Sequence, residues 1–165
     1  MKRGIRMLSA LLLGALFIVP AGAFSADSLE ISIEETGDAA ITFTYSLNVI
    51  ERWAVFLQIA RPELELKSAI ESFSGKAVDV ASVEKGSAQF SVSRFARAIR
   101  ADGETQYETP ALDLTAADGQ LERYWFAPLV RPDFSPELTT IRFPDGHTET
   151  FSDQSAIPAL SHGIA

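Results

Sequence analysis

The stretch Leu29–Leu47, LEISIEETGDAAITFTYSL, decides how this chain folds. On both sides of Gly37-Asp38, apolar residues alternate with small or polar ones. That alternation is typical of strands that bury one face, and glycine followed by aspartate favours a tight turn between them. The stretch therefore predicts a β-hairpin with one buried and one wetter face. Short connections of this kind imply antiparallel pairing.

The same pattern returns later in the chain, marked each time by glycine-containing turns. Asp-Gly pairs and Pro-Asp-Gly are strong turn signals. The turns are Lys85-Gly86, Asp102-Gly103 and Pro144-Asp145-Gly146. One predicted strand starts at Val78, a second runs from Phe90 toward Ile99, and a third covers Tyr107–Leu114. Thr139–Phe143 and His147–Phe151 are predicted to pair as a hairpin. A short helix is predicted over Thr115–Leu121.

Between the first two groups of strands the hydrophobic period changes. Val49–Ala60 is apolar almost all round, Arg61-Pro62 interrupts it, and apolar residues then recur at helical spacing until Gly75. This predicts two helices separated by a proline break, with a strand at Trp53–Ile59 as the competing interpretation of the first. The predicted fold class is therefore α+β: an antiparallel sheet of hairpins with a two-helix insert, Val49–Phe73, packed on one face.

The N-terminal 23 residues have the pattern of a secretory signal peptide. Lys2, Arg3 and Arg6 precede the apolar run Met7–Val19, and small residues follow up to Ala23. The run is shorter than the ~20 residues that span a bilayer, so we expect cleavage after Ala23 rather than an anchor. Cleavage after Ala26 and an uncleaved anchor are the alternatives. The expected product is one extracytoplasmic domain, residues 24–165, secreted or at the cell envelope, in which Ser155–Ala165 is a possible loose tail.

The amino-acid composition excludes several classes of function for this chain. The chain has no cysteine, which excludes disulfides, thiolate metal sites and thiol catalysis. It has 14 basic and 22 acidic residues, and three of the basic ones lie in the signal segment, so the mature net charge is about −11. A surface this acidic repels phosphate backbones, so we expect no nucleic-acid partner, and membrane contact only through an uncleaved signal segment.

The run Tyr124-Trp125-Phe126 supplies the candidate binding site. Burial of three aromatic side chains would contribute much of a domain's stability, which favours a structural role as a proline-rigid strap over the sheet. In an extended chain, however, Trp125 lies on the face opposite its two neighbours. Trp125, Arg131 and Asp133 would then form a small ligand-binding site for an unknown protein or glycan partner.

The sequence offers no catalytic motif. It has no Gly-x-Ser-x-Gly and no phosphate-binding glycine loop, so we assign no catalytic residue, no cofactor and no metal ligand. A metal site on His147 and His162 with Asp145 or Asp153 is conceivable, but nothing fixes its spacing. We expect a non-enzymatic binding or structural domain. The alternatives are a small hydrolase or metal-dependent enzyme, and a subunit whose aromatic face is covered only in a complex.

Three segments carry a resemblance: Gly37–Leu47, Glu51–Leu57, and Tyr124–Val130 with Pro132–Pro136. They resemble a group of small exported proteins of unknown function from methanogenic archaea. The resemblance extends over most of the mature chain. It implies an exported location and a shared fold, and it assigns no site residue.

Overall fold

The computed structural model describes residues 25–47, 62–117 and 135–165, and the predicted first hairpin is confirmed within them. Strand β1 (Ser25–Ile33) pairs antiparallel with β2 (Ala39–Ser46), and Ile31 faces Ile41 across the pair. Gly37 has a φ of 86° and donates its N–H to the carbonyl of Glu34 at 2.9 Å. A positive φ of this size favours glycine, which explains why the turn falls here.

The described residues form eleven strands, one α-helix and one 3₁₀ turn. The predicted hairpins at Lys85-Gly86, Asp102-Gly103 and Pro144–Gly146 are all present. The remaining strands are β3 (Val78–Glu84), β4 (Ser87–Val92), β5 (Arg97–Ala101), β6 (Glu104–Glu108), β7 (Leu112–Asp113), β8 (Leu138–Arg142), β9 (Thr148–Phe151), β10 (Ala156–Ile157) and β11 (Ser161–Ile164); the helix α1 is Pro62–Ser74 and the 3₁₀ turn is Leu114–Ala117.

The largest sheet is mixed, which corrects the antiparallel sheet of the prediction. Its strand order is β3-β4-β2-β1-β8-β9, and β8 runs parallel to β1, with Ser28 opposite Leu138 and Ser32 opposite Arg142. These two strands lie about 110 residues apart in the chain. Turn residues specify pairing only between chain neighbours, so the hairpin pattern could not reveal this contact. Smaller sheets of order β11-β6-β5 and β10-β7 complete the fold.

The predicted α+β class is wrong, because the described chain is nearly all-β. Helix α1 packs mainly beside the edge strand β3, the 3₁₀ turn and β7, so it does not form a helical layer over the sheet. The first predicted helix, Val49–Ala60, and the alternative strand at Trp53–Ile59 lie outside the described residues, as does the signal segment. In the described parts of the chain, no helix has the length and apolar character needed to cross a membrane.

Helix α1 closes one edge of the large sheet. The Lys67 ammonium donates to the carbonyl of Val78, and a Glu71 carboxylate oxygen accepts the Val78 N–H at 3.2 Å. Lys67 and Glu71 also form an ion pair at 2.7 Å. An edge strand leaves such backbone groups open to pairing with another chain, and here two helix side chains satisfy them at the start of β3.

The strand predicted to run from Phe90 toward Ile99 is broken. β4 ends at Val92, and Arg94 adopts a φ of 54°. The Arg94 N–H donates to an Asp38 carboxylate oxygen at 2.7 Å, and the Ala96 N–H donates to the carbonyl of Gly37 at 2.8 Å. These contacts from the first turn redirect the chain into β5 and so into a second sheet. The predicted return strand Tyr107–Leu114 is likewise divided between β6 and β7.

The end of the chain is part of the fold rather than a loose tail. In the segment Ser155–Ala165, β10 pairs with β7 and β11 pairs with β6. His162 lies opposite Tyr107 in the second of these ladders. The buried core contains residues from all three sheets and from α1. Its members are Ala26, Leu29, Ile31, Ile33, Ala39, Ile41, Phe43, Tyr45, Ile70, Val78, Ala88, Phe90, Val92, Phe95, Ala96, Tyr107, Leu112, Leu114, Ile141, Phe143 and Ile157.

The parallel pair has a consequence for where functional groups meet. Because β1 and β8 run in the same direction, the turns that follow them lie at the same end of the large sheet. The β1–β2 turn reaches the three-stranded sheet there, since the carbonyl of Glu35 accepts a hydrogen bond from the Tyr107 hydroxyl at 3.0 Å. The β8–β9 turn therefore also faces the three-stranded sheet.

Candidate functional site

The binding site predicted from the sequence, Trp125, Arg131 and Asp133, lies outside the described residues. Of the proline-rich segment that contains it, Ser135 and Pro136 are described, and Pro136 is fully buried. The carbonyl of Pro136 accepts the N–H of Asp153 at 3.1 Å. That contact places Asp153 beside the start of β8. Of the two aspartates considered with His147 and His162 as metal ligands, Asp145 is the one that lies beside the histidines.

The β8–β9 turn presents one carboxylate in a fixed position. Pro144, Asp145 and Gly146 form the turn, with Gly146 at a φ of 88°. One carboxylate oxygen of Asp145 accepts the backbone N–H of His147 at 3.0 Å. Aspartate commonly makes this bond to the residue two positions on, and it leaves the second oxygen directed outward from the turn.

That second oxygen meets a side chain from the other end of the fold. The distance from Asp145 Oδ2 to His162 Nε2 is 2.7 Å, short enough for a strong hydrogen bond in which the imidazole donates. His162 lies on β11 in the three-stranded sheet, whereas Asp145 lies in the turn that joins β8 and β9 of the large sheet. The contact therefore joins the two sheets at the end where their turns converge.

The chain has only two histidines, and the structure places them face to face. The rings of His147 and His162 are stacked, with centroids 4.3 Å apart and planes 10° from parallel. His147 has a carboxylate of its own, because its Nε2 lies 3.0 Å from Glu149 Oε1. We call these four residues, Asp145, His147, Glu149 and His162, the histidine cluster.

The histidine cluster rests on a buried aromatic ring and opens toward solvent. Phe143, only 2% exposed, lies 4.7 Å from the His162 ring and 5.9 Å from the His147 ring between centroids. Side-chain exposure rises from 21% at His162 to 43% at His147. One ring is thus mostly enclosed between the sheets, and the other covers it from outside.

The electrostatics of the cluster favour a charged Asp145. The hydrogen bond from His162 lowers the pKa of the Asp145 carboxyl below its usual value, and the backbone N–H of His147 lowers it further. Elsewhere among the residues that the structure describes, two groups have shifted pKa values. Hydrogen bonds from Lys67 and Val78 lower the pKa of Glu71, while burial raises the pKa of the Tyr45 hydroxyl, with a smaller contribution from Glu63.

The two imidazoles and the two carboxylates form two hydrogen-bonded pairs. Each Nε2 faces a carboxylate oxygen, so both rings act as donors through that nitrogen. In the ranges 25–47, 62–117 and 135–165, no set of three or more His, Asp or Glu side chains is arranged to hold a metal ion. The geometry is that of a polar contact between two sheets, in which a stacked pair of imidazoles is hydrogen-bonded to two carboxylates.

Sequence reasoning named part of this cluster for a different purpose. It offers His147, His162 and Asp145 as conceivable metal ligands, and the structure brings these three together as a stacked pair with one carboxylate. Glu149 was missed. Its position two residues after His147 on a predicted strand was the available signal, because residues i and i+2 share a face.

Comparisons with known proteins add no relative. No protein-family model, no curated protein and no solved structure matches the chain.

Proposed function

We propose that this chain is an exported, non-enzymatic domain with a binding or structural role at the cell envelope. The N-terminal pattern of Lys2–Ala23 supports export, and the acidic mature surface supports a soluble domain without a nucleic-acid partner. The absence of cysteine removes thiol chemistry from the functions to be considered.

The non-enzymatic part of the proposal rests on the contacts that the two histidines make. Both imidazoles have their Nε2 atoms on carboxylates and their faces on each other, and one of the two bonds connects two sheets. Side chains that are paired with one another in this way stabilise the fold. A catalytic base needs a free ring nitrogen within reach of a substrate proton, and the Nε2 atom of each ring is already used in these pairs.

For the binding role we assign Trp125, Arg131 and Asp133, and the partner class is a glycan or a peptide. An aromatic face with a cation and a carboxylate beside it suits both classes, through stacking on the ring and charge-assisted hydrogen bonds. The full chain has two tryptophans, so replacement of one leaves the other as the only indole. The Trp53→Phe variant reports on Trp125, and the matched Trp125→Phe variant reports on Trp53.

The binding test is a fluorescence titration of both single-tryptophan proteins. With Trp53→Phe we expect red-shifted emission, efficient acrylamide quenching, and a saturable change with an oligosaccharide or peptide panel. In the double variant Trp53→Phe/Arg131→Gln, the fluorescence change on addition of the ligand should be weaker. Blue emission that resists quenching would instead identify Trp125 as core and remove the assignment of this site.

The export test is independent of the ligand. The full-length chain is expressed in a bacterium with a general secretion system, and the extracytoplasmic fraction is analysed by intact mass. We expect a product that begins at Phe24, and Ala23→Leu should block its formation. A full-length product retained in the cytoplasm would contradict the localisation.

The alternative, a small hydrolase, has one observation in its favour. A carboxylate-bound imidazole, here Asp145 with His162, is two parts of a Ser-His-Asp triad. A fluorophosphonate probe labels activated serines, so we expect no labelling of the purified protein. Labelling that disappears in His162→Gln but persists in His147→Gln would support the hydrolase over the proposal.

A further inference from the structure

The histidine cluster also has a property that goes beyond a binding or structural role. It joins β11 to the β8–β9 turn through groups whose charges change with pH. Its rings are the chain's only two imidazoles; His162 lies on β11 of the three-stranded sheet, and His147 lies between β8 and β9 of the large sheet. Among the described polar contacts between the two sheets, this is the one built from two titratable side chains.

We propose that the histidine cluster is an acid-sensitive latch, closed while its carboxylates are charged and released when they take up protons. In the closed state two carboxylates face two rings, and their negative charge compensates any positive charge on the imidazoles. When the carboxylates become neutral, that compensation is lost. Two imidazolium rings then remain stacked with centroids 4.3 Å apart, and like charges at that separation repel.

Acid changes the charge of the cluster in one direction only. Each proton taken up by an imidazole adds a positive charge, and each proton taken up by a carboxylate removes a negative one. The lowered pKa of Asp145 moves the release to more acidic conditions than a free aspartate would give. The described groups that face the cluster are Asp145 and Glu149 from the β8–β9 hairpin and, from β6, Tyr107, which lies opposite His162.

The element that moves is β11. It is a four-residue strand at the edge of the three-stranded sheet, paired with β6. Strands of this length have little stability of their own, so a local opening needs far less free energy than global unfolding. The six-stranded sheet does not depend on β11, because its strands are paired without it.

The test measures amide hydrogen exchange of the full chain by mass spectrometry at pH 6 and pH 3.5. Intrinsic exchange rates are removed with an unfolded reference, and EDTA is present throughout. We expect peptides from Ser155–Ala165 to lose about tenfold or more in protection at pH 3.5, which corresponds to a like-charge pair near a protein surface. Peptides from Leu29–Leu47 should keep their protection, because they report on the large sheet.

Two sets of variants decide whether the cluster is responsible. In His147→Gln/His162→Gln the rings cannot become charged, while each amide can still donate to its carboxylate. We expect this protein to keep β11 protected at pH 3.5. In Asp145→Asn/Glu149→Gln the carboxylates are neutral at every pH, so β11 should already open at pH 5, where the native latch is closed.

The second set keeps the proposal testable if the first set fails to fold. Equal protection of Ser155–Ala165 at both pH values in the native chain would overturn the latch. So would an acid response unchanged in His147→Gln/His162→Gln, because the sensitivity would then reside in other carboxylates. Closed behaviour of Asp145→Asn/Glu149→Gln at pH 5 would overturn it as well.

Discussion

Gly37 is the residue at which the first hairpin and the three-stranded sheet are joined. It is buried, and its carbonyl accepts the N–H of Ala96 at 2.8 Å. A Cβ built on Gly37 would lie 2.4 Å from the carbonyl oxygen of Ala96. The backbone cannot move away from that oxygen without stretching the hydrogen bond beside it. The turn residue predicted from sequence therefore also has a tertiary role that sequence did not indicate.

We expect Gly37→Ala to lower the free energy of unfolding by about 3 kcal/mol, from the combined cost of backbone strain and overpacking. The matched control is Gly103→Ala, where φ is 87° and no atom lies within 4 Å of the added Cβ. The control has the strain alone and should cost about 1 kcal/mol. Urea unfolding of both proteins measures the difference. Equal losses would show that the contact with Ala96 is relaxed at no cost.

Thr139 places a hydroxyl group in the buried interior of the large sheet. It is 0% exposed on β8, and its Oγ1 has no hydrogen-bond partner among the described residues. Valine has the same shape without the hydroxyl, so Thr139→Val should raise the free energy of unfolding by about 1 kcal/mol. Thr148→Val, at an exposed position on β9, should change it by less than about 0.5 kcal/mol. A loss of stability in Thr139→Val would indicate a partner for the hydroxyl.

At the scale of elements, the contact of Lys67 and Glu71 with Val78 fastens α1 to the edge of the sheet. The pKa of Glu71 is lowered in the folded state, so its contribution to stability is present above the unfolded pKa of about 4.5 and is lost as pH falls through the folded pKa. We expect Glu71→Gln to lower the melting temperature by about 2–4 °C at pH 7, and by less at pH 3. The measurement is thermal unfolding by circular dichroism at both pH values.

Glu84→Gln is the control for this element, because Glu84 is an exposed residue at the far end of β3, the strand that α1 fastens. The substitution makes the same change of side chain and removes no contact that the described residues show. At the same salt concentration, its melting temperature should not fall at either pH. A Glu71→Gln effect that is equal at pH 7 and pH 3 would contradict an origin in the carboxylate charge.

The elements also show how far sequence could predict the fold. Hairpins were predicted correctly where strands adjoin in the chain, because alternation and turn residues are local signals. The parallel pair β1–β8 depends on a contact between distant segments, and the break at Arg94 depends on Asp38 and Gly37 from another turn. Strands β10 and β11 are too short for periodicity to reveal. The predicted helical layer failed because α1 lies at a sheet edge.

The same distinction between local signals and long-range contacts applies to the candidate site. Sequence could name His147 and Asp145 as neighbours of one turn, since they lie two positions apart. It could not place His162 on them, because that contact requires β11 to pair with β6 and the β8–β9 turn to face the same sheet. The stacking of the two rings is thus a property of the whole fold.

At the scale of the whole molecule, the excess of acidic residues should set how stability depends on salt. The full chain has a net charge of −8, which becomes about −11 without residues 1–23, and the repulsion between these like charges opposes the compact state. Added salt screens it, with a Debye length of about 10 Å at 0.1 M. We expect the melting temperature to rise by several degrees between 10 mM and 500 mM NaCl.

Surface variants separate this effect from non-specific salt effects. Asp79→Asn/Glu84→Gln neutralises two exposed carboxylates on β3, so its melting temperature at 10 mM NaCl should rise and its response to salt should flatten. Lys85→Gln at the adjoining exposed turn makes the net charge more negative and should steepen the response. If the three proteins respond equally to salt, the dependence arises from salt exclusion at the surface and not from charge repulsion. A melting temperature that falls with salt would mean that ion pairs such as Lys67–Glu71 and Arg142–Glu30 outweigh the repulsion.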